Sequence, residues 1–202
     1  MLPGMGANTT MYDLLLKEVA FTINVINWPQ YRGEQTYAEV AQRVIDKNDI
    51  RNGDVVGGSS LGGMVALEIA HHKKLAAVVL IGSAIRATEV QGLLSLLSPL
   101  ASLTPISLIQ ILVGKHANII SKMFTEADTE FVRAMCKYLR TWPGYQGSQA
   151  RLFRLHGQKD HIIPCPKQGC EIVPNAGHLL AITHAKACGT FLNKINMLLA
   201  KS

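Results

Sequence analysis

Cysteine is scarce, and its four positions, 136, 165, 170 and 188, show no CxxC spacing. Cys165 and Cys170 stand five apart, but no His or Cys pair follows at the interval a zinc site needs. A disulfide scaffold is excluded, no metal is expected, and the thiols read as reduced and cytoplasmic. Charge is also sparse, at 17% of residues, and glycine is aperiodic, which excludes coiled coil and collagen. Basic residues outnumber acidic ones by 20 to 14, a net +6. They are scattered singly, with Lys73-Lys74 the one adjacent pair, so no nucleic-acid partner is expected. The start, Met1-Leu2-Pro3-Gly4-Met5-Gly6, has neither the basic nor the apolar region of a signal peptide.

Hydrophobic residues make up 48% of the 202, which excludes intrinsic disorder. At ~150 residues per domain the length implies a single domain over 1–202, with room for a large insertion. One stretch, Leu93–Val113, is long enough and sufficiently free of charge to raise a membrane span. Pro99, Pro105 and six other polar residues interrupt it, however, and Leu93, Leu96, Leu97, Leu100 and Leu103 share one helical face. A broken amphipathic segment is expected there, without stable membrane insertion.

Elsewhere short apolar runs alternate with helical patterns, the signal of a parallel α/β sheet. A first strand ends near Leu2 at the turn Pro3–Gly6, and Asn8 or Thr9 caps a helix carrying Met11, Leu14, Leu15 and Val19. Phe21–Ile26 reads as a strand, and Thr36 with Glu39 has the spacing of a capping box. Asp54–Gly57 holds a short strand, and a sharp turn then leads into a helix over Met64–His71. Leu75–Ile81 is a strand apolar throughout, as burial on both faces requires. Residues 85–147 show no strand and read as helices broken at Pro99, Pro105 and Pro143. Strands resume at Arg151–Leu155 and Glu171–Val173, and Leu179–Leu199 is mostly helix.

The turn itself, Gly58-Ser59-Ser60-Leu61-Gly62, carries the chemistry. A serine on a tight strand-to-helix turn is forced outward, where flanking side chains would clash. Gly58 and Gly62 remove those side chains, Gly63 lets the helix approach the sheet, and the helix N-terminus places positive charge beside an attacked carbonyl. Ser60 is therefore expected to be a nucleophile.

This motif in this setting resembles the α/β-hydrolase superfamily over nearly the whole chain. The resemblance implies a mostly parallel sheet with helices on both faces, and a helical cap at residues 85–147. The family's order is Ser, then acid, then His. The stretch Arg151–Asp160 resembles its acid-bearing strand and turn, and Pro174-Asn175-Ala176-Gly177-His178 its histidine loop. The resemblance thus implies Ser60 as nucleophile, His178 as general base and Asp160 as the orienting carboxylate. Asp54 and Glu171 fit the acid less well; His71, His72, His156, His161 and His184 fit the base less well. Oxyanion donors are expected in the backbone N–H groups of Leu61, next after the nucleophile, and of Met5, in the turn after the first strand. Pro3 replaces the family's usual His there.

Two departures stand out. Only Met1 and Leu2 precede the oxyanion turn, so the family's N-terminal strands are expected to be reduced or missing, by a minimal sheet or a truncated chain. Asp160 and His178 are also close in sequence, so the helix usually between them must be nearly absent. Function is expected to be hydrolysis of a small apolar ester or thioester through an acyl-Ser60 intermediate, with no cofactor. The same triad types also serve carbon–carbon bond hydrolases, lyases and acyltransferases, and a noncatalytic ligand-binding relative is the alternative outside enzymes. Nothing in the sequence speaks to oligomeric state.

Overall fold

The computed structural model describes residues 1–90 and 127–201. Among them four parallel strands, β1 (Val55–Ser59), β2 (Ala77–Ile81), β3 (Arg151–Gly157) and β4 (Glu171–Val173), lie in the order β1-β2-β3-β4. The helices are α1 (Asp13–Leu16), α2 (Tyr37–Asn48), α3 (Leu61–His72), α4 (Thr129–Leu139), α5 (Leu180–Thr183) and α6 (Ala185–Leu199). Short 3-10 turns cover Thr9–Tyr12 and Ala87–Val90.

Every residue of β2 is buried because the sheet is covered on both sides. Val55, Gly57 and Val79 face Leu192 and Ile195 of α6 across a small cavity. Leu80, on the opposite face, lies against Gly63 of α3, and α2 packs on α3. Burying Val65, Leu67 and Ile69 of α3 stabilises the layer by roughly 1.5–3 kcal/mol each.

Local signals explain the element ends. Asn8 accepts from the Thr10 amide at 3.1 Å and caps the first turn. Thr36 Oγ1 accepts from the Glu39 amide at 3.1 Å, while Glu39 reaches back one residue further than a capping box requires, to the Gln35 amide at 2.7 Å. Leu2 makes one parallel bridge to Gly58. Phe21–Ile26 is a correction: it forms no strand. Its alternating half-burial matches a strand pattern, yet among the described residues its backbone ties go only to Met1, from the Ile26 amide at 3.1 Å and to the Asn24 carbonyl. Two bonds to one residue do not make a ladder.

The helix after β1 starts at Leu61, three residues before the expected Met64, so Ser60 alone separates strand from helix. The short path from Asp160 to β4 contains turns and no helix, as expected. The apolar stretch Leu93–Val113, with Pro99 and Pro105, lies outside the described residues. Trp142 is buried where the chain returns to the sheet, its Nε1 donating to Glu68 Oε1 at 2.8 Å. No helix among the described residues is long and apolar enough to cross a membrane.

Candidate active site

Ser60 occupies a backbone conformation rarely adopted outside glycine, with φ 52° and ψ −120°. Holding it there costs on the order of 1–3 kcal/mol, which the surrounding contacts must offset. Its amide donates to the Ile81 carbonyl at 3.1 Å, and its carbonyl accepts from Ser83 Oγ at 2.7 Å. A Cβ on Gly58 would strike the backbone of Gly62, and one on Gly62 would strike the carbonyl oxygens of Leu2 and Pro3. Those two positions have to be glycine for strand, helix and N-terminal turn to meet.

His178 arrives from β4 through a tight loop. Asn175 takes φ 60°, and the Lys159 amide donates to the Ala176 carbonyl at 2.8 Å, which draws this loop onto the end of β3. The result brings the three expected side chains into line. His178 Nδ1 lies 2.8 Å from Asp160 Oδ2, and Nε2 lies 2.9 Å from Ser60 Oγ. A carboxylate accepts only, so Nδ1 carries the proton and Nε2 accepts from the Ser60 hydroxyl. Asp160 Oδ1 accepts from the amides of Ile162 and Ile163, each at 2.9 Å.

Burial pushes the Asp160 carboxyl up. Hydrogen bonds from His156 and His178, the charge of His178 and the Ile163 amide outweigh it, and the carboxyl is held well below the usual range. The group is a fixed negative charge behind His178.

The turn at Gly4 lies against the serine; a Cβ on Gly4 would sit 3.7 Å from Ser60 Cβ. Leu61 is the first residue of α3, so its amide has no partner within the helix. Among the described residues neither the Leu61 nor the Met5 amide finds an acceptor. Met5 is half-buried, with the Cys136 thiol donating to its sulfur at 3.4 Å.

The competing residues are elsewhere. Asp54 accepts from the Arg51 amide at 2.8 Å, and exposed Glu171 pairs with Lys194 at 2.7 Å. His72 and His161 are exposed, His71 stacks on Tyr145, and His184 bonds to Thr183.

Three supporting residues escaped the sequence reading. Tyr12 Oη accepts from the Ser59 amide at 3.0 Å and donates to the Leu2 carbonyl at 2.5 Å. Ser83 holds the Ser60 carbonyl, and buried Arg154 donates to the Ser83 carbonyl at 2.9 Å and to Glu89 at 2.8 Å. His156, set aside as a strand-end residue, lies beside Asp160. Its position four residues before the acid is the one signal that pointed there.

The model of the Alpha/beta hydrolase family matches residues 1–188. No curated protein matches the chain. Among solved structures, a malate-bound thermophilic esterase from Thermogutta terrifontis is similar with TM-score 0.76 at 18% identity, over 98% of this chain and 88% of that one. Another thermophilic esterase gives 0.77 at 16%, over 98% and 88%. ClbQ, from the colibactin NRPS/PKS pathway, gives 0.67 at 17%, over 98% and 96%. At these identities the likeness is one of fold.

Proposed function

The chain belongs to the alpha/beta hydrolase family, and from that premise we propose that it is a serine hydrolase of small apolar carboxylic esters or thioesters. The observation that carries the reading is the unbroken line from Ser60 Oγ through His178 to Asp160, at 2.9 and 2.8 Å. Esterases among the similar folds fit this substrate class.

A serine hydroxyl is a weak nucleophile until a base takes its proton. His178 Nε2 accepts that proton as Ser60 Oγ attacks the carbonyl carbon, and Asp160 stabilises the imidazolium and keeps its ring oriented. The carbonyl oxygen becomes an oxyanion and receives hydrogen bonds from the Leu61 and Met5 amides. One such donor is worth on the order of 3–4 kcal/mol in the transition state. His178 then returns the proton to the departing alcohol or thiol, leaving an acyl-Ser60. Water, deprotonated by His178, attacks that ester, and His178 hands the proton to Ser60 Oγ as the acid departs. No step calls for a metal or organic cofactor.

In this reading residues 85–147 are a helical cap over Ser60; of its described residues Ala87–Val90 and Thr129–Leu139 are helical, and 140–147 are turn and irregular. The cytoplasm fits the four free thiols.

Labelling with a fluorophosphonate probe tests the mechanism. The wild-type protein should take one label, at Ser60. Ser60→Ala should take none and lose ester turnover by several orders of magnitude, on the order of the ~10⁶ lost elsewhere with a triad member. Undiminished labelling of Ser60→Ala would overturn the reading.

A further inference from the structure

His156 takes no part in the proton transfers above, yet its ring is completely buried at the end of β3. Nε2 stands 2.7 Å from the Ile163 carbonyl oxygen and 3.2 Å from Asp160 Oδ2. Both neighbours are acceptors, so Nε2 carries a proton and donates to them. In the neutral ring Nδ1 is then a bare acceptor, and no polar atom among the described residues reaches it. An unpaired buried nitrogen is costly. A leucine would fill the same space without that cost, so the benefit of a histidine lies in what Nε2 donates.

The carboxylate shows what that benefit is. An ionised Asp has about four lone-pair sites. The amides of Ile162 and Ile163 occupy those of Oδ1, and His178 Nδ1 takes one of Oδ2. His156 supplies the fourth donor. It also grips the carbonyl of Ile163, whose amide holds Oδ1, so one ring fastens both sides of the turn to the strand end. Among the described residues Asp160 is the ionisable group bonded to this ring, and His178 meets it only through that carboxylate.

We propose that His156 is a positioning residue whose Nε2–H, shared between the Ile163 carbonyl and Asp160 Oδ2, holds the carboxylate pointing at His178 Nδ1. The proposal rests on reading Ser60, His178 and Asp160 as a triad.

Two substitutions separate positioning from filling. His156→Leu keeps the bulk and loses the donor, whereas His156→Gln places a carboxamide N–H near the position of Nε2. Should His156→Leu not fold, His156→Met serves as the donorless comparison. Kinetics on a p-nitrophenyl ester and the low-field NMR signal of the His178 Nδ1 proton are the readouts. The donorless variant should lower kcat roughly ten-fold or more at unchanged KM, and should shift or broaden the low-field signal. His156→Gln should restore both to within a few-fold of wild type. A donorless variant matching wild type in kcat and signal would overturn the proposal. So would a His156→Gln protein with wild-type circular dichroism that is as impaired as His156→Leu. If the wild-type protein takes no fluorophosphonate label at Ser60, the triad reading fails. The NMR comparison still decides whether His156 holds Asp160 against His178.

Discussion

The Ser59 amide rests on the phenolic oxygen of Tyr12, which itself donates a hydrogen bond to the Leu2 carbonyl. One buried hydroxyl thereby joins the residue before Ser60 to the residue before the Pro3–Gly6 turn. Tyr12→Phe keeps the ring and removes that junction. It should cost about 1–2 kcal/mol in urea unfolding, since Ser59 retains a longer bond to Leu2 at 3.2 Å. An unchanged unfolding midpoint and slope would show that the second bond suffices.

Strain at Ser60 is open to a stability measurement that involves no substrate. Alanine at this position keeps the Cβ that makes φ 52° unfavourable, and glycine does not. Both variants are inactive in the proposed mechanism. Ser60→Gly should nonetheless be the more stable by about 1 kcal/mol, after glycine's larger entropy loss is counted. Equal stability would mean that the turn holds no strain.

Asp160 ties stability to pH. Its carboxyl is held below the usual range in the folded protein, so the folded state favours the ionised form. A lowered native value gives stability that is complete above the unfolded value, ~3.9 for Asp, and is lost as pH falls toward the native one. Asp160→Asn should therefore be less stable than wild type by a margin constant above about pH 5 and shrinking below about pH 4. Urea unfolding across that range is the check. A margin that widened on acidification would contradict the assignment.

Substrate preference tests the proposed apolar character of the substrate. Each methylene removed from water is worth roughly 0.8 kcal/mol, nearly a factor of four in kcat/KM if the transition state keeps the contact. p-Nitrophenyl esters from acetate to octanoate, kept below micelle-forming concentrations, should rise in kcat/KM over two to four added carbons and then level off. A flat profile would overturn the apolar reading of the substrate.

Legibility in the sequence followed the range of the interactions. The turn at Ser60 was readable because Gly58 and Gly62 answer to clashes four residues apart, which any chain making this turn must avoid. The all-apolar β2 and the Thr36 cap were readable for the same local reason. Phe21–Ile26 misled because alternation reports which face is covered and says nothing about whether a neighbouring strand exists to bond with. Asp160 and His178 came through resemblance, and their geometry depends on the loop that carries Asn175. Tyr12 drew no notice in the sequence, since its hydroxyl matters only once Leu2 and Ser59 lie side by side. His156 stayed hidden because its partners appear only when the turn to Ile163 has closed.

Gly62 sets a spacing by what it lacks. The carbonyls of Leu2 and Pro3 lie so close to it that no carbon fits between. The Leu61 amide is next to Gly62 on one side of that contact, and Met5 follows two residues after Pro3 on the other. Their separation is thus fixed by hard surfaces meeting, which do not stretch as a hydrogen bond does. A single methyl group at this position acts as a shim, prising the turn from the helix by its own thickness.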